Sequence, residues 1–113
     1  MAVLCGKQRA FVAQARLLQA LAHPLRLAVV DLLEGGERCV CEIAQHVGSE
    51  RSNVSRHLAL MQRAGVLDSR KDGLMVLYRL RTPCVLNLLT CATRTLRRNV
   101  AAEARALGMG LGR

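Results

Sequence analysis

Two thiols one residue apart, Cys39 and Cys41, lie in the run Glu37-Arg38-Cys39-Val40-Cys41-Glu42-Ile43-Ala44 and are the side chains here best suited to chemistry. Paired thiolates bind soft metals and metalloids, and they also take part in redox exchange. In a regular helix, residues two apart point ~200° away from each other, whereas in an extended segment they lie on the same side. Cys39 and Cys41 can therefore share an ion only where the chain is extended or unwound. A helix start favours the thiolate that soft metals bind, and Arg38 adds positive charge. The same pair also reads as two small buried residues that open a helix.

Two thiolates do not complete a site. Trivalent arsenic or antimony takes three sulfurs, and structural zinc takes four ligands. Cys5 is the most economical third ligand, on an N-terminal arm that could fold over its own or a partner subunit; its other reading is no role at all. Cys84 and Cys91 fall on one face of a helix but ~10 Å apart along its axis, too far for one ion with ~2.3 Å metal–sulfur bonds. They read as packing residues near a dimer seam, or as one half of a redox pair with a thiol elsewhere. No Cys-x-x-Cys pair or parallel βαβ frame is visible, and His23, His46 and His57 show no nucleophile–base arrangement. The reading is therefore not an enzyme, with no catalytic residues assigned.

Composition narrows the partners. Seventeen Lys and Arg against eight Asp and Glu give a formal charge of +9 over 113 residues, a balance that favours polyanions. No apolar stretch approaches the ~20 residues needed to cross a bilayer, so the reading is no membrane, a cytoplasmic protein and duplex nucleic acid. Five cysteines without an export signal argue for reduced thiols rather than a disulfide framework. Phe11 and Tyr78 are the only aromatics, which disfavours stacking on single-stranded bases.

The elements that must hold these residues follow from periodicity. Phe11, Ala15, Leu18 and Ala22 have helical spacing, and His23-Pro24 interrupts it. Pro24 suits the first position of a second helix with Leu25, Val29, Leu32 and Leu33 inward and Gly35-Gly36 as its stop. A short third helix carries Val40, Ile43, Ala44 and Val47 and ends at Gly48. Ser49 is the expected N-cap of a fourth helix, with Val54, Leu58 and Met61 facing inward and Gly65 terminating it. Two helices joined so closely are the outline of a helix-turn-helix. Segments 66–71 and 74–80 flank Asp72-Gly73, the expected hairpin turn and hence a wing. From Pro83 a last helix runs to about Leu107, with Val85, Leu89, Cys91 or Ala92, and Leu96 as its apolar stripe.

The expected fold is thus mainly α with a small β-hairpin, a winged helix-turn-helix forming a homodimer through its first and last helices. Residues 1–10 are an N-terminal arm, 11–107 the domain and 108–113 a flexible tail. On the fourth helix Arg51, Ser52, Ser55 and Arg56 turn outward with Asn53 at the flank, residue types that suit base edges and phosphates in the major groove. Arg70 and Lys71 at the hairpin tip suit phosphate or the minor groove. His57 reads as a structural histidine. Arg94, Arg97, Arg98 and Arg105 read equally well as the wet face of the last helix.

Across roughly residues 15–82 the chain resembles the ArsR/SmtB metal-sensing repressors. The resemblance rests on Leu21-Ala22-His23-Pro24-Leu25-Arg26, on Cys39-Val40-Cys41-Glu42-Ile43-Ala44, on Ser55-Arg56-His57-Leu58-Ala59-Leu60, and on Arg70-Lys71-Asp72-Gly73 through Tyr78-Arg79-Leu80. It implies a homodimer that sits on double-stranded operator DNA without any cofactor and leaves when a toxic metal or metalloid binds, derepressing resistance genes. Arsenic-responsive members carry a third Cys where this chain has Ala44. Cadmium- and lead-responsive members have Ala there and add N-terminal cysteines, which points to Cys5. Thr82, Cys84, Thr95 and Arg98 stand where other members place a last-helix zinc site, so that site is not expected. The Ser-Arg-His-Leu-Ala-Leu run is closer to the arsenic branch, which ranks arsenite or antimonite first and cadmium or lead second. A thiol-redox or persulfide switch is a further alternative.

Overall fold

The computed structural model describes residues 5–108, the side chain of Cys5 excepted. Its elements are α1 (Cys5–Gln19), α2 (Pro24–Leu33), β1 (Arg38–Cys39), α3 (Val40–Val47), α4 (Arg51–Arg63), β2 (Leu67–Asp72), β3 (Met75–Leu80) and α5 (Val85–Ala106). The chain divides into two compact units, Met1–Pro83 and Cys84–Arg113.

The first unit is built on one apolar core. Val29 and Val30 of α2, Ile43 of α3, Val54, Leu58 and Met61 of α4, and Val66 and Leu67 at the start of the wing are fully buried. Each such side chain contributes roughly 1.5–3 kcal/mol by leaving water, so this cluster fixes how α3 and α4 stand to each other. Pro24 opens α2 as expected, and the Nδ1 of His23 caps the helix by accepting from the N–H of Leu25 at 3.0 Å. Gly48 ends α3 in the left-handed region, at φ 67°, and lets the chain turn into α4 within three residues.

Four expectations need correction. The sheet has three strands in the order β1-β3-β2, because the two residues before α3 are extended and pair with β3. Nothing in the hairpin pattern announces so short a strand. The turn falls on Gly73-Leu74 rather than Asp72-Gly73, since Asp72 already pairs with Met75. Gly73, at φ 64°, takes the first central position, where a type II′ turn needs a positive angle, and Leu74 is left wholly exposed at the tip. Glu50, not Ser49, is the N-cap of α4; the Ser49 hydroxyl is instead taken by the Asn53 amide at 2.9 Å. Finally, α1 starts at Cys5, within the segment read as an arm. Lys7, Gln8, Arg9 and Ala10 are good helix formers, and helix propensity does not require an apolar period.

Phe11, Val12 and Leu18 of α1 remain about half exposed, and burial begins only at Ala20 and Leu21. The second unit is α5, whose Leu88, Leu96 and Val100 are likewise exposed. Cys91, Ala92 and Leu96 of its expected stripe are exposed, without cover among the described residues. No helix among the described residues is long and apolar enough to cross a membrane.

Candidate nucleic-acid interface and thiol site

Because Val54, Leu58 and Met61 point into the core, the opposite face of α4 is fixed outward. Arg51, Ser52, Ser55 and Arg56 are all exposed there, as the sequence predicts. Asn53 is half-buried and already bonded, donating to the Ser49 hydroxyl, with an Arg56 guanidinium nitrogen 3.5 Å from its carbonyl oxygen. It steadies the start of α4 and orients Arg56, leaving less of its own amide for a base.

His57 has a structural place. Its ring lies 4.5 Å from that of His23, and its Nδ1 accepts from the Nε of Arg26 at 3.1 Å. Arg26 in turn donates to the carbonyl of Gln19 at 2.9 Å. This chain of contacts ties α4 to the α1–α2 corner. Burial, then the charges of His23, Arg26 and Arg56, hold His57 below the usual histidine value of 6.5. Its charged form is disfavoured in the fold, so its contribution to stability is complete above about 6.5 and is lost as pH falls through the lowered folded value. The melting temperature should therefore fall on mild acidification in the wild type and less so in His57→Gln; equally steep declines would contradict this assignment.

On the wing the outcome differs from expectation: Arg70 and Lys71 lie within β2, opposite Leu77 and Val76, and not at the tip, because the strands stay paired as far as Asp72 and Met75. Lys71 is exposed and makes no ion pair among the described residues, whereas Arg70 is engaged side-on by Glu37. Its Nε and Nη2 donate to the two carboxylate oxygens, each at 2.9 Å. The Arg70 hydrogen bond holds the Glu37 carboxyl below the usual carboxylate range, and Glu37 raises Arg70 in return. The pair leaves both Nη1 hydrogens of Arg70 for another acceptor. Sequence reasoning passed over Glu37, because only the pairing of strands far apart in the chain brings it to Arg70.

The thiols straddle a joint. Cys39 ends β1 with extended backbone (φ −82°, ψ 164°), is buried, and serves as N-cap of α3, while Cys41 is exposed in that helix's first turn. The Glu42 carboxylate closes the turn by accepting the N–H of Cys39 at 3.2 Å, a bond that also lowers its pKa. Cys39 pairs with Leu77 of β3, and Leu77 pairs on its other side with Arg70 of β2. Ala44, where a third thiol would stand, is buried and offers no donor. No group of three His, Cys, Asp or Glu residues able to hold a metal occurs among the described residues, and the Cys5 side chain lies outside them. The donor set fits a soft ion only in part: two sulfurs on either side of a bend, with the third to come from elsewhere. Cys84 and Cys91 are exposed on the second unit, and all four described cysteines are free.

A family model described as bacterial regulatory protein, arsR family, matches residues 23–69, from the cap of α2 into the wing. Over 86 residues the chain is 37% identical to an uncharacterized HTH-type transcriptional regulator of Mycobacterium tuberculosis, spanning 75% of each protein. The chain belongs to the ArsR family. Another relative is the arsenical resistance operon repressor of Escherichia coli, 42% identical over 71 residues that cover 62% of this chain and 61% of that one. Among solved structures, the homodimeric winged helix-turn-helix DNA-binding domain of a possible ArsR-family regulator from Mycobacterium bovis superposes with a TM-score of 0.74 at 28% identity, covering 85% of this chain and 89% of that one. The α3–α4 pair and the β2–β3 wing are thus the DNA-binding module of an ArsR-family transcription regulator.

Proposed function

We propose that this ArsR-family protein is an operator-bound repressor that soft metal or metalloid ions remove from DNA. Each protomer of a homodimer lays α4 in a major groove. Arg51, Ser52, Ser55 and Arg56 face the bases and adjacent phosphates with Asn53 at their flank, and Arg70 and Lys71 of the wing meet the backbone. The exposed apolar residues of α1 and α5 supply the surfaces that a second copy covers, in keeping with the homodimeric Mycobacterium bovis domain. DNA binding itself requires no cofactor, and the chain works in the cytoplasm rather than at a membrane.

One observation carries the inducible part: Cys39 and Cys41 lie on opposite sides of the strand-to-helix joint that leads into α3, one buried and one exposed. To share a ligand they must turn toward each other, which unwinds the first turn of α3 or pulls Cys39 from the sheet. Either change displaces the helix on which α4 rests. With Ala44 unable to ligate, the third sulfur is that of Cys5, from its own chain or its partner's. Arsenite or antimonite is the leading inducer, in line with the arsenical resistance repressor of Escherichia coli, and cadmium or lead the alternative. The test is an operator-release titration with arsenite, antimonite, cadmium(II) and lead(II). Release by at least one supports the proposal, and equal operator affinity with and without all four refutes it.

A further inference from the structure

Besides the packing of α3 on β3, two links outside the helix-turn-helix join the wing to the thiol motif. The first is the sheet. Cys39, Leu77 and Arg70 form one row across β1, β3 and β2, and Arg38, Tyr78 and Ser69 form the next. The second is the bidentate bridge from Arg70 to Glu37, the residue that immediately precedes β1. The partners stand thirty-three positions apart in the chain, so the bridge does not follow from local sequence. β1 contains only two residues, which places Glu37 just two positions from Cys39 along the chain.

We infer that Glu37 is a positioning residue for induction: through Arg70 it holds the wing in its DNA-competent place, and movement of Cys39 toward Cys41 breaks that hold. The inference rests on the thiol reading above. It adds a second output, since the wing loosens together with the shift of α3. As a charge pair exposed to solvent, the bridge adds little to global stability, because water screens it and its two side chains lose freedom in forming it. Its effect is on orientation. A side-on carboxylate fixes the guanidinium plane, leaving the Nη1 edge of Arg70 set for phosphate, and loss of Glu37 returns that long side chain to its rotamers.

The chain contains no tryptophan, and Leu74 is wholly exposed at the wing tip, so Leu74→Trp places a single reporter there. Its emission anisotropy is followed without DNA as arsenite or cadmium(II) is added, with ion uptake measured in parallel by equilibrium dialysis. With Glu37 intact, anisotropy falls as the ion is taken up. In Leu74→Trp with Glu37→Gln it starts at the low value and stays there although uptake is unchanged. The charge exchange Glu37→Arg with Arg70→Glu restores the ion-linked fall. On the operator, with Leu74 in place, Glu37→Gln lowers affinity without ion and also shrinks the ratio of affinities without and with ion, whereas a purely structural loss would leave that ratio alone. Uptake with the same anisotropy change in both backgrounds, or with none in either, overturns the role of Glu37 and leaves the thiol reading standing. Absence of uptake of either ion overturns both.

Discussion

Serine at both Cys39 and Cys41 is expected to leave operator affinity in place and to abolish ion-induced release. Cys39 already occupies the N-cap of α3, and serine is a preferred residue there, nearly the same size and a better acceptor for the first-turn N–H groups. Cys41 is exposed, so its exchange disturbs no packing. The DNA-binding module therefore stays folded, while both sulfur donors at the joint are gone. Coupling free energies of this kind are usually about 1–3 kcal/mol, equivalent to a roughly 5- to 150-fold loss of operator affinity in the wild type and none in the double variant. Fluorescence anisotropy of labelled operator measures both numbers. Undiminished release in Cys39→Ser/Cys41→Ser would move the sensing thiols elsewhere, to Cys84 or Cys91, and an internal cross-link found by mass spectrometry after mild oxidation would favour the redox alternative.

The second large effect is expected at Arg56. It is exposed on the outward face of α4, one residue from the hydrogen bond that fixes His57, and Asn53 steadies its guanidinium. A bidentate arginine bond to a base contributes about 1–3 kcal/mol, and a homodimer makes it twice, so Arg56→Ala should weaken specific operator binding by one to several orders of magnitude. The melting temperature should not change, because Val54, Leu58 and Met61 carry the packing of that helix. Lys71→Ala provides the contrast. Removing a phosphate-binding ammonium from the wing weakens operator and random duplex alike and lowers the salt dependence of binding by about one counterion per phosphate neutralised. If Arg56→Ala behaved as Lys71→Ala does, with affinity reduced equally for all sequences, Arg56 would be a phosphate ligand and not a reader.

The helices were legible because their signals are local. Pro24 at a first position, Gly48 at a left-handed cap and the spacing of Val54, Leu58 and Met61 each act within a few residues. The outward face of α4 followed directly, since a helix with three fully buried positions has its other side decided. What escaped depends on pairing at a distance. β1 is strand only because β3 lies beside it, and neither Arg38 nor Cys39 shows an alternating pattern that would reveal this. Glu37 gained its role in the same way, from a register that brings Arg70 to it across the sheet. The thiol pair was readable as chemistry from its spacing, as was the need for an extended or unwound stretch before both could share an ion; that the two stand on either side of a strand-to-helix junction emerged only from the fold. The capping of α4 was misread because Ser49 and Glu50 are adjacent plausible caps, and the bond from Asn53 draws the serine away.

In the proposed mechanism, sulfur ligation deforms the joint between β1 and α3. Amide hydrogen exchange across residues 38–42, followed with and without arsenite or cadmium(II), observes that joint itself. The N–H of Cys39, now held by Glu42, should exchange faster once the ion is taken up, together with the amides that pair β1 to β3, while the buried core of α4 keeps its protection. Release of the operator with exchange at residues 38–42 unchanged would contradict this mechanism.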